Sequence, residues 1–193
     1  MISRTFLLAG LTGSLLTSGV RAQVPSAEAQ IAGAVSAAPE GLRAAATVLG
    51  YRNYHRMDIL RQGTNGIICL ADDPSVERWQ TSCYHQDLEP FMRRGRELRD
   101  LGLSHAQIDS ARQAEVDAGI LKMPDGPRAL FNLYAPADSV DQATGLARGT
   151  SRLEVVYTPY ATSETTGLPT RPGNGLPWLM YPGKPWAHIM IMH

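Results

Sequence analysis

The chain has 193 residues, 44% of them hydrophobic, with 18 basic and 18 acidic side chains and two cysteines. This even charge balance excludes the long-range attraction that drives binding to nucleic acid or anionic lipid. The length accommodates one domain with a substantial core.

Residues 1–22 read as a cleavable secretory signal. Arg4 supplies the basic start, residues 6–16 are apolar or small, and Val20-Arg21-Ala22 offers small or apolar residues at the third and first positions before a cut after Ala22. The apolar run is too short, and too rich in Gly, Ser and Thr, to cross a bilayer as a stable helix, so an integral membrane protein is not expected. Removal of the signal leaves residues 23–193 with 16 basic side chains (the 18 less Arg4 and Arg21) against 18 acidic ones. The expected destination is the periplasm or the medium. In such an oxidising compartment Cys69 and Cys83 are most simply a disulfide. It closes a loop of about 15 residues, worth about 3 kcal/mol in the chain-entropy model. Reactive or metal-binding thiols would want CxxC spacing or nearby His ligands, and the sequence has neither pattern.

The first element after the signal is expected to be a helix capped by Ser26, Ala-rich over 27–38, with Ile31 and Val35 on one face and Pro39 as its stop. Residues 44–50 turn towards β character. Two apolar runs, 57–61 and 67–70, flank Gly63-Thr64-Asn65-Gly66, and Asn-Gly between such runs predicts a β-hairpin. Asp87 is placed to cap a helix from Leu88, with Pro90 in its first turn and Leu88, Phe91, Met92, Leu98 and Leu101 forming one apolar stripe. Gly102 stops it, and Ser104 with Gln107 makes a capping box for a second helix that ends near Gly119. Strands are then expected at 128–135, around Leu153, Val155 and Tyr157, and at 186–193. The stretch 159–185 has no periodicity and reads as a loop rich in Gly and Pro. The sum is an α+β domain: a mostly antiparallel sheet of about six strands, with about three helices packed on one face.

Chemistry is sparser. The last strand puts Trp186, His188, Met190 and Met192 on one face and Ala187, Ile189 and Ile191 on the other. His with Met is a soft ligand set suited to Cu(I) or a haem axial position. The ordinary reading, a hydrogen-bonded core histidine with flexible Met as filler, is favoured, because same-face neighbours on one strand sit about 7 Å apart. His85 and Glu89 are four apart, but Pro90 biases Glu89 away from helical geometry and favours a surface pair without a ligand. His55 with Asp58 is a still sparser pairing, and His105 reads as solvated. Asp72 and Asp73 could offer oxygens to Ca²⁺ but lack the alternating pattern of an EF-hand, and a turn is the simpler reading. Arg93, Arg94 and Arg96 face different sides of a helix, with Glu97 and Asp100 near enough to neutralise them. No GxSxG, HExxH, P-loop or GxGxxG is present, so no cofactor is expected.

Ser36-Ala37-Ala38-Pro39, Leu60-Arg61-Gln62-Gly63-Thr64-Asn65-Gly66 with Cys69, Pro177-Trp178-Leu179-Met180 and Ala187-His188-Ile189-Met190-Ile191 resemble blocks of a family of uncharacterised exported bacterial proteins. The resemblance implies export and a bacterial source. That family has no assigned activity, so no chemistry comes with it.

The functional expectation is therefore a non-enzymatic domain that binds a small ligand or a cell-envelope component. Its pocket is expected beside the last strand, walled by Trp178, Tyr181 and Trp186 of the aromatic, Gly- and Pro-rich segment. The alternative is a metal-dependent enzyme or metal carrier using His188 with His85 or Met190; a purely structural envelope protein is the third reading. Whether any reaction is catalysed stays open at this level.

Overall fold

The computed structural model describes residues 24–54, 56–173 and 175–192. The signal expected at 1–22, His55 and the terminal His193 lie outside the described residues.

Helix α1 (Ala27–Val35) starts where the sequence places it: Ser26 Oγ accepts a hydrogen bond from the Ala29 amide at 3.1 Å. A one-turn helix α2 (Glu40–Arg43) follows Pro39. Strands β1 (Thr47–Asn53), β2 (Arg56–Arg61), β3 (Ile67–Leu70) and β4 (Trp79–His85) come next. A short 3-10 turn, Gln86–Leu88, leads into α3 (Glu89–Asp100) and then α4 (His105–Asp117). The remainder is β5 (Arg128–Ala135), β6 (Ser151–Tyr157), the one-turn helix α5 (Ser163–Thr166), β7 (Trp178–Met180) and β8 (His188–Met192).

Among the described residues these eight strands form a single mixed sheet in the order β2-β1-β3-β4-β5-β6-β8-β7. Only β1 and β3 run parallel; the other neighbours are antiparallel. The α+β class holds, and three helices have seven residues or more, but the strands number eight and not six. The two that the sequence did not announce are β4, at the middle of the sheet, and the three-residue β7 at its edge.

The hairpin expected across Asn65-Gly66 does not form. Strand β1 lies between the two runs, antiparallel to β2 and parallel to β3. The physical reason is burial: Val48 and Gly50 of β1 are buried, whereas no residue of β2 is, so β1 suits the interior and β2 the edge. Asn65 and Gly66 still make a turn. The Asn65 Nδ2 donates to the Leu42 carbonyl at 2.7 Å, and Gly66 adopts φ 73°.

Helices cover both faces of the sheet, not one. On the first face, α1 lies on a cluster of Ala34, Val48, Cys69, Trp79, Cys83 and Leu133. Its small side chains allow a close approach, and the 140–147 segment presses on its other side. A Cβ on Gly33 would lie 2.6 Å from the Gly145 carbonyl oxygen, and one on Gly145 would run into Ala29. On the second face, Leu88 and Met92 pack on Tyr84, Leu130 and Val155. Phe91, Leu121 and Trp186 form a further cluster, with Val116 of α4 packed against it. A one-faced arrangement fails because the central strands are apolar on both sides, as Ile67-Ile68-Cys69-Leu70 illustrates.

Cys69 and Cys83 are bonded. They sit directly opposite each other on β3 and β4, with Cα atoms 4.0 Å apart and no solvent exposure.

Candidate functional site

The face of the sheet that carries α3 is only partly covered. Between α3, β1 to β5 and the 72–78 connection lies a cleft of about 1230 Å³. The missed strand β4 runs along its floor. Alternation aims Gln80, Ser82 and Tyr84 into the cleft while Thr81 and Cys83 go to the α1 core. Leu49, Leu70 and Leu130 give the floor an apolar component.

At one end stands a closed triad. The Tyr84 hydroxyl donates to Glu89 Oε2 at 2.6 Å; Arg96 donates to the Tyr84 oxygen at 2.9 Å and to Glu89 Oε1 at 2.7 Å. Glu89 and Arg96 are seven apart, two turns of α3, so both meet the buried tyrosine on one helix face. Burial pushes the Tyr84 hydroxyl well above its ordinary titration range, so it remains a neutral donor.

Midway along the floor, Ser82 Oγ donates to Asn132 Oδ1 at 2.6 Å across the β4–β5 pair. Asn132 is only 8% exposed, yet it lines the cleft. Its amide nitrogen makes no hydrogen bond to the described residues and is not a buried unpaired atom; it faces the cleft. An amide nitrogen placed this way can donate to a molecule bound in the cleft.

At the far end, the Gln80 amide donates to Asp72 Oδ1 at 2.8 Å. Burial pushes the Asp72 carboxyl up to about 6, with the Asp73 charge adding to the rise and the Gln80 hydrogen bond opposing it. Burial, with Asp73 beside it, also holds the Tyr51 hydroxyl above its ordinary range. Gln80 and Tyr84 are four residues apart on one strand, so the two ends of the floor are separated by about 13 Å. Seven arginines and six carboxylates line the cleft, which leaves no dominant sign of charge.

Of the residues the sequence offered as metal ligands or pocket walls (His188, Met190, His85, Asp72, Trp178, Tyr181 and Trp186), Asp72 alone lines this cleft. His85 lies five residues beyond Gln80 on β4, about 16 Å along the strand. There its Nδ1 accepts from the Asp87 amide at 3.2 Å and caps the 3-10 turn that leads into α3, where Asp87 was expected to cap a helix from Leu88. Asp87 instead takes Arg128 at 2.7 Å. The His85–Glu89 pairing is not made, because Glu89 is held by Tyr84 and Arg96.

His188 is on β8, three strands from β4. Its Nδ1 is 2.8 Å from the Trp186 carbonyl oxygen, and burial holds its imidazole below the ordinary value, with that hydrogen bond opposing the shift. Met190 pairs with Val155 on one side and Trp178 on the other. His188, His85 and Asp72 therefore do not converge, and among the described residues no three His, Cys, Asp or Glu side chains are grouped to hold a metal.

The three aromatics expected to wall a pocket beside the last strand differ in exposure. Trp178 and Trp186 are buried, Trp186 stacks on Phe91 at 5.7 Å between ring centres, and Tyr181 is exposed. None of the three lines the large cleft. No protein-family model, curated protein or solved structure matches the chain. The functional reading therefore rests on this chain's own geometry.

Sequence reasoning missed Ser82, Tyr84, Asn132, Glu89 and Arg96 as a group. Asn132 did leave a signal, as the polar residue between Phe131 and Leu133, but alternation alone places it on an open face. Its meaning depends on β4 lying alongside.

Proposed function

We propose that the chain is an exported binding domain whose small, near-neutral polar ligand occupies the cleft between α3 and the sheet. The observation that carries this reading is the cleft floor, where Asn132 is fixed through its carbonyl oxygen by Ser82 and keeps its amide nitrogen to donate into the cleft. The nearly balanced arginines and carboxylates favour a neutral or zwitterionic molecule over a strong anion or cation. The leucines on the floor accommodate its apolar face. Binding is favoured over turnover because Tyr84, Glu89 and Arg96, the groups best placed to move a proton, are committed to one another. Export is supported by the disulfide and by the absence, among the described residues, of a helix long and apolar enough to cross a membrane.

The test is a titration of isotopically labelled protein, residues 23–193, with a panel of neutral monosaccharides, primary amides and zwitterionic amino acids, followed by NMR. Binding members are expected to shift the side-chain amide signals of Asn132 and Gln80, and Asn132→Leu is expected to abolish those shifts. Ligands that perturb only surfaces remote from β4 and α3, or a panel that perturbs nothing, would count against the cleft. Export is checked separately by mass spectrometry of the protein from its native host. A chain beginning at Gln23 with both thiols blocked is expected.

A further inference from the structure

The register of the last two strands adds Met180 to the His188 and Met190 that the sequence already places on one face of the last strand. Met180 of β7 stands directly opposite His188 of β8, and Met190 lies two residues along β8 on the same face. Directly opposed residues have Cβ atoms about 5 Å apart, and same-face neighbours on one strand are about 7 Å apart. Two flexible methionine side chains and an imidazole at those spacings are neighbours on one face of the sheet. The single-strand set read from the sequence lacked this second strand.

The imidazole is already oriented. Its Nδ1 lies 2.8 Å from the Trp186 carbonyl oxygen. A carbonyl only accepts, so Nδ1 carries the proton and Nε2 keeps its lone pair. Nε2 has no hydrogen-bond partner among the described residues. The rings of Tyr157 and Tyr181 flank the histidine, with centres 4.9 and 5.7 Å from it. Trp178, opposite Met190, occupies the fourth corner of the square. His188, Met180 and Met190 are half-buried, and Tyr181 beside them is exposed.

We propose that His188, Met180 and Met190 form a binding site for Cu(I). One imidazole and two thioethers make an uncharged, soft ligand set that suits Cu(I); Ca²⁺ and Mg²⁺ require oxygen, and Zn²⁺ takes thiolate, imidazole or carboxylate. The hydrogen bond from Nδ1 to the Trp186 carbonyl is the outer contact that holds a ligating histidine in place. The surrounding aromatic faces add attraction for a cation. Both cysteines are consumed in the disulfide, so no thiolate competes. The site is distinct from the α3 cleft, whose lining includes none of the three ligands.

The experiment is a competition for Cu(I) between the disulfide-bonded protein, residues 23–193, and bathocuproine disulfonate, with Ag(I) as a second probe that needs no reductant. One equivalent is expected to transfer. Met180→Leu, Met190→Leu and His188→Gln are each expected to weaken binding by at least about tenfold. Met192→Leu serves as the control; it shares the face but has no partner on β7, and it is expected to bind as the wild type does. X-ray absorption on the wild-type complex is expected to show one nitrogen and two sulfur neighbours, whether or not every variant folds. The assignment is overturned if the wild type takes no metal from the chelator, if Met180→Leu binds normally, or if Met192→Leu loses as much as the others. It is also overturned if thiol titration after loading traces the bound metal to a reduced disulfide.

Discussion

Asp72 illustrates how little of a residue's chemistry lies in its name. In sequence it is half of an Asp-Asp-Pro turn; in the structure it is half-buried at the end of the cleft, with a carboxyl pushed up to about 6 by burial. The sign of the linkage follows. A carboxyl whose folded value exceeds its unfolded one, near 3.8, binds protons more readily when folded. Its contribution therefore favours folding increasingly as pH falls from about 7 towards 4, and it opposes folding at neutral pH. Asp72→Asn keeps an oxygen to accept the Gln80 amide and removes the charge. We expect it to stabilise the protein at pH 7 by on the order of 1 kcal/mol, after discounting for solvent screening at a half-exposed group. The gain should vanish near pH 4. Urea midpoints of both proteins across that range decide the matter, and a gain independent of pH would contradict the assignment. Other residues kept their sequence-level meaning, because their partners are close in the chain. Ser26 caps α1, and Ser104 and Gln107 make the expected box on α4.

At the scale of elements, the helices were legible and the central strand was not. The stripe of Leu88, Phe91, Met92, Leu98 and Leu101 predicted α3; Leu88, Phe91 and Leu98 are buried, whereas Leu101, at the C-cap, is exposed. Strand β4, Trp79-Gln80-Thr81-Ser82-Cys83-Tyr84-His85, escaped notice because it lacks apolar alternation. One of its faces packs under α1 through Trp79, Thr81 and Cys83, while the other carries the polar groups of the cleft floor. The pattern that hides the strand is the pattern that makes the candidate site. Helix α1 shows the opposite case, in which a bland Ala- and Gly-containing run records a tight contact. Gly→Ala in an exposed helix normally gains about 1 kcal/mol. At Gly33 the new Cβ would lie 2.6 Å from a backbone oxygen, so Gly33→Ala is expected to lose about 1–3 kcal/mol. A lower denaturation midpoint, with faster amide exchange in residues 140–147, is the measurable outcome; a raised midpoint would mean that segment yields freely.

For the whole molecule, the disulfide joins two central strands across a sequence separation of 14 and sits in the core beneath α1. Replacing both cysteines by alanine is expected to cost about 3 kcal/mol in chain entropy, and more from the space left among fully buried neighbours. Chemical denaturation of oxidised wild type against the double variant measures it, and an unchanged midpoint would show that the link adds nothing. The cysteine pairing was readable from the count of two and the inferred compartment, because it needs no geometry. The α+β class and the three longer helices were readable too, since caps, breakers and apolar periodicity act within a few residues of themselves. Strand order, the placement of β1 between β2 and β3, the two covered faces, the α3 cleft and the meeting of Met180 with His188 were not. Each depends on which strand lies beside which, and backbone hydrogen bonding is indifferent to sequence. Long-range burial makes that choice, and it exists only once the chain has folded.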